Sequence, residues 1–198
     1  MKKRGHLLVT AHVNSQRGWR KLCVMTGSIL PDFWIPSLIK GHRRDVTWDR
    51  IRGNIEKLEN TGTWNGVDCL RLGVLLHYVE DFFTYVHNPS YSGNLLGHIR
   101  YEREQYLAFK QHLSVEKNVI EQVGSHPKDY VDSLENWMEK MFKEYDEMFP
   151  GLETDYLFMK RAAYMTMWPF VMQNLGLSLN ILPRLRSTEK ISILSINI

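Results

Sequence analysis

Disulfides, membrane spans and strands are all but missing from this chain. Its 198 residues hold two cysteines, Cys23 and Cys69. Two thiols in apolar surroundings form no disulfide framework, and both read as buried thiols. No apolar run reaches the ~18 residues that a spanning helix needs. β-hairpin signals are scarce, which argues against a sandwich or barrel. An excess of one charge is missing too: 25 Lys and Arg against 22 Asp and Glu leave a net charge of +3. No basic stripe stands out, so tight binding to long nucleic acid is not favoured. The one compact basic run, Met1–Arg4, reads as a solvated end. The apolar run Leu7–Val9 behind it is broken by His12, Asn14 and Gln16, and is too short for a secretory signal. A cytoplasmic protein is expected.

What remains is an ordinary globular composition. Hydrophobic residues make up 43% and aromatics 12% of the chain, enough for one sizeable core. The periodicity is helical nearly throughout, which predicts an all-α, single-domain, multi-helix bundle. Helices are expected over 5–14, 46–60, 66–86, 94–113, 127–149 and 152–181, the last kinked at Pro169. Val46, Ile51, Ile55 and Leu58 form the stripe of the second. A loop is expected around Gly18, and GSILPDFWIP reads as a short helical or irregular piece, because Gly27, Pro31 and Pro36 prevent one regular element. Asn88-Pro89 should stop the 66–86 helix. The domain is expected over 1–183, and ISILSINI within 184–198 reads as a loose tail.

The chemistry concentrates in LGVLLHYVEDFFTYVHN and the nearby GHIRYE, which place His77, Asp81, His87, His98 and Glu102 within 26 residues. His77/Asp81 and His98/Glu102 are each four apart, so each pair shares a helix face with Cβ atoms ~5–6 Å apart. One ion can bridge such a pair, with imidazole nitrogen and carboxylate oxygen each ~2.0–2.2 Å from zinc. A charged residue in so apolar a helix needs a partner or a metal. From Asp81 to His87 an ideal helix rises ~9 Å and turns ~600°. His87 therefore serves a second metal, or the helix bends or ends before it. The expectation is one ion at His77 and Asp81, and another at His87, His98 and Glu102.

LGxxLHYxxDxxxxxH, here Leu72 to His87, followed by HxxxE, here His98 to Glu102, resembles the zinc-dependent phospholipase C family. That family shares its all-helical fold and three-zinc cluster with the S1/P1-type nucleases. HLLV at His6–Val9, GSILPD ending in Asp32, and GHRRD carrying His42 extend the resemblance over residues 6–102. The resemblance implies that His42, His77 and Asp81 hold one zinc, and that His87, His98 and Glu102 hold a second. It implies that Asp81 bridges to a third zinc, which His6 also binds. Asp32 either joins the first zinc or acts as catalytic base. In secreted members a processed N-terminal tryptophan completes the third site, whereas here five residues precede His6 and none is Trp. Two to three zinc ions per chain are thus expected.

The implied activity is hydrolysis of a phosphodiester, a phospholipid or a related small molecule, with possible contact to a membrane surface. A nuclease or phosphomonoesterase on the same scaffold is the enzymatic alternative. A zinc protein that kept the cluster without turnover is the non-enzymatic one. For His77 and Asp81 taken alone, the plain alternative is a satisfied buried pair. His12, His112 and His126 have no place in the pattern and read as surface or capping residues, and Phe33, Trp34 and the Tyr164–Phe170 aromatics read as core.

Overall fold

A computed structural model describes residues 3–14, 16–33, 42–61, 64–115 and 133–174. Among them the fold is all-helical, without strands. The helices are α1 (Lys3–Val13), α2 (Gly18–Gly27), α3 (Arg44–Glu59), α4 (Gly66–Phe82), α5 (Leu95–Val115), α6 (Leu134–Glu147) and α7 (Leu152–Asn174). Short 3-10 turns lie at Leu30–Phe33 and Tyr85–His87. The expected tail at 184–198, His126, Trp34 and the proposed helix start at His126-Pro127 lie outside the described residues.

α4 is the central element, packed against α2, α3 and α7. Its start is set by Asn65, whose side chain accepts from the Val67 and Asp68 amides at 2.8 and 3.2 Å. Asp68 reaches back to the Asn65 amide at 3.1 Å, completing a capping box. Leu72, Leu75, Leu76, Val79 and Phe82 bury their side chains almost completely. Ile51, Ile55 and Leu58 of α3 meet them as predicted, but Val46 and Val67, each in the first turn of its helix, are exposed. Phe82, Phe83, Phe142, Tyr145 and Phe158 extend the core through mostly edge-on ring contacts 5.4–6.0 Å apart.

Three expectations need correction. α4 ends at Phe82, well before Pro89, because Thr84 takes an extended backbone while its hydroxyl donates to the Glu80 carbonyl at 3.0 Å. The Gly18 region is not simply a loop: a turn with φ +59° at Gly18 opens α2. Phe33 is not core, being 61% exposed with the Lys3 ammonium over its ring. α7 runs on past Pro169 to Asn174.

Candidate metal centre

The site grows out of α4. His77 and Asp81 share a helix face, and Glu80 stands beside it; all three are completely buried. Asp81 is the hub. Its Oδ2 lies 2.8 Å from His42 Nδ1, 3.4 Å from His77 Nε2 and 3.7 Å from His87 Nδ1. Its other oxygen, Oδ1, lies 3.4 Å from His6 Nε2. One carboxylate thus faces four imidazoles from four parts of the chain.

Backbone packing orients His77. Nδ1 donates to the Ser28 carbonyl at 2.9 Å, and a carbonyl can only accept, so Nε2 is the nitrogen with a lone pair for the cluster. That bond depends on a close crossing of α2 and α4 at two glycines. A Cβ on Gly73 would sit 2.1 Å from the Val24 carbonyl oxygen, and one on Gly27 would sit 2.2 Å from that of Leu70. Only glycine permits the approach that brings Ser28 onto His77.

The second group forms where the chain turns after α4. The Tyr85–His87 turn swings His87 off the α4 face, so that its Nε2 lies 3.4 Å from Glu102 Oε1. His98, one turn before Glu102 on α5, places Nε2 3.2 Å from the same oxygen. His98 is the most open member, its side chain 29% exposed.

Burial sets the charges here. Desolvation would push Asp81 up, but His87 and His6 beside it, which take up their protons before Asp81 does, hold it well below the carboxylate range. Burial drives His77 well below the usual imidazole range and lowers His87 to about 4, so both stay neutral. Burial opposes ionisation of Glu102, but the His87 and His98 hydrogen bonds win and hold it far down. His6 goes the other way: burial lowers it, yet Asp81 and Glu80 outweigh that and raise it to about 9, so an ion bound at Nε2 would displace a proton there. Burial raises Asp32.

The donors fit zinc. Ligand atoms of His42, His77 and Asp81, of His87, His98 and Glu102, and of His6, Asp32 and His77 each fall within 4.8 Å of one another, so each group could hold a metal ion. Bonds of ~2.0–2.1 Å in a tetrahedron put neighbouring ligand atoms ~3.3 Å apart. The spacings of 3.2 and 3.4 Å at Glu102 match this. So do the 3.4 Å from His77 to Asp81 and 3.2 Å from His77 to His42, while the 2.8 Å from His42 to Asp81 must open slightly. His6 Nε2 and Asp32 Oδ2 are buried with no hydrogen-bond partner, an arrangement that favours a cation.

All eight candidates, His6, Asp32, His42, His77, Asp81, His87, His98 and Glu102, therefore converge. Asp32, in the Leu30–Phe33 turn, lies 3.9 Å from His77 Nε2. His12 is half-buried and meets Tyr164 edge-on, and His112 stacks on Tyr156 with Glu153 at 3.1 Å. Sequence reasoning missed Glu80. Its signal was there: an acidic residue in the most apolar helix, next to Asp81 and three after His77.

The family model for zinc-dependent phospholipase C matches residues 21–150. The match covers more than half of the chain and every candidate except His6. The chain belongs to the zinc-dependent phospholipase C family. No curated protein and no solved structure matches it. Among the described residues no helix is long and apolar enough to cross a membrane.

Proposed function

We propose that the protein is a zinc-dependent phosphodiester hydrolase of phospholipase C type, acting on a phospholipid or a related phosphodiester. The observation that carries this is the convergence of four imidazoles on Asp81, beside a second His/His/Glu group, in a chain of this family. His42, His77 and Asp81 would hold one zinc, and His87, His98 and Glu102 a second. His6 and Asp81, with Asp32 close by, would hold a third. Bound zinc supplies an acidified water and neutralises charge on phosphoryl oxygens.

The chain's own residues do the rest. Asp32 is partly exposed at the edge of the cluster, and burial raises its proton affinity. That suits a general base, which works best when its pKa approaches the working pH. Asp32 takes the proton from water as the water oxygen bonds to phosphorus. The bond from phosphorus to the alcohol oxygen breaks, and the alcohol leaves with the proton that Asp32 took from water, which restores the Asp32 carboxylate. The ester would enter on the side of His98, the most open member of the cluster.

The test is hydrolysis of phosphatidylcholine and of p-nitrophenyl phosphorylcholine by zinc-loaded protein, beside Asp32→Asn and chelated controls. Release of diacylglycerol or nitrophenol, lost on chelation and cut at least ~100-fold in Asp32→Asn, is expected. Cleavage of single-stranded DNA alone would reassign the substrate to the nuclease branch. Tight zinc binding without any cleavage would make this a non-catalytic zinc protein.

A further inference from the structure

Glu80 is absent from every ligand group above, yet it is wholly buried and sits against one of the candidates. Its Oε2 lies 2.6 Å from His6 Nδ1, and its Oε1 accepts from the Thr10 hydroxyl at 3.2 Å. His6 and Thr10 are one turn apart on α1, so a single carboxylate grips one face of that helix with both oxygens. The His6 ring lies between consecutive residues of α4: Glu80 meets Nδ1, and Asp81 Oδ1 lies 3.4 Å from Nε2. The ring also lies against His77, with centroids 3.9 Å apart and planes 31° from parallel.

We propose that Glu80 is a positioning residue: it accepts the Nδ1 proton of His6 and so presents the Nε2 lone pair to a zinc ion shared with Asp81. The inference rests on the metal centre proposed above and adds an outer carboxylate to it. Outer carboxylates of this kind fix the tautomer and orientation of metal-bound histidines. A carboxylate serving only to anchor α1 would need the bonds to His6 and Thr10. It would not need the opposite nitrogen of the same ring to lie buried and without a hydrogen-bond partner beside Asp81. Thr10 completes the device by locking the carboxylate rotamer. Glu80 thereby links α1, which lies outside the family match, to the candidate ligands His77 and Asp81 of α4 without touching the metal itself.

The experiment is a zinc count by elemental mass spectrometry with competitive chelator titration, on wild type, His6→Ala, Glu80→Ala and Glu80→Gln, alongside 15N spectra of the imidazoles. His6→Ala should lose one zinc equivalent. Glu80→Ala should weaken retention of that same equivalent about 10–100-fold and leave the rest unchanged. Glu80→Gln keeps the shape and one acceptor oxygen, so it is the variant to use if the alanine form fails to fold. It should weaken the same ion about 10-fold, and its His6 resonances should leave the pure Nδ1–H tautomer. Wild-type zinc affinity and an unchanged His6 spectrum in Glu80→Gln, whatever its melting temperature, would overturn the proposal. Wild type whose zinc content ignores His6→Ala would overturn it too. Zinc retained as expected, but without phosphodiester cleavage, would remove the proposed activity and leave Glu80's role intact.

Discussion

Gly27 and Gly73 touch where α2 crosses α4: the Gly27 Cα lies 2.8 Å from the place a Cβ would take on Gly73. Gly73 precedes His77 by one helical turn, and Gly27 precedes Ser28, whose carbonyl holds His77. A packing contact in the core is therefore also what orients a candidate ligand.

Gly73→Ala tests this directly. The obstacle is backbone on the facing helix, which cannot rotate away, so the cost falls at the upper end of the overpacking range, about 3 kcal/mol. Urea denaturation should show that loss, and zinc affinity should fall with it as Ser28 moves off His77. Gly53, whose Cβ would meet nothing within 4 Å, is the control: Gly53→Ala should be neutral or slightly stabilising.

Asp81→Asn should be the most damaging conservative change. It leaves the volume intact but removes the one charge that four imidazoles face. Bound zinc should drop by at least one equivalent, and phosphodiester turnover by at least ~100-fold. Full turnover in this variant would refute the assignment of the hub.

Chelation should destabilise the folded protein. Groups that are costly to bury alone become satisfied when a cation joins them. Each ion present at about 100 times its Kd contributes about 2.7 kcal/mol. Thermal unfolding should shift down on chelation and return on adding zinc. An unchanged melting temperature would mean that the cluster is self-sufficient.

Asp155 offers a pH test away from the cluster. Its carboxylate accepts from the Tyr145 hydroxyl at 2.7 Å, the Tyr101 hydroxyl at 2.8 Å, the Gln105 amide at 3.0 Å and the Tyr85 backbone amide at 3.1 Å. Burial raises it to about 6, against the pull of those donors. The native pKa thus exceeds the unfolded one, so the folded chain binds more protons between about 4 and 6. The contribution of Asp155 is complete below that window, shrinks as pH rises through it, and is flat above about 6. The stability difference between wild type and Asp155→Asn, measured by denaturant midpoints from pH 4 to 8, should fall and then level. At pH 7 the variant should still be weaker by about 1–3 kcal/mol, because its amide group cannot accept from every donor.

The sequence by itself determined the helical architecture and the local halves of the site. His77/Asp81 and His98/Glu102 needed only 3.6 residues per turn to become pairs. The spacing from Asp81 to His87 left open a second metal or a bend or helix end before His87, and the helix ends at Phe82. Where local rules ran out, errors followed: Pro89 was the plausible stop, but the competing hydroxyl of Thr84 lies before it. Tertiary structure alone decided what faces what across long separations. His6 and Glu80 are 74 positions apart, and His77 and Ser28 are 49 apart. No periodicity relates such residues. They meet because two glycines let α2 close onto α4, and because burying α1 against the same helix sets His6 between two carboxylates.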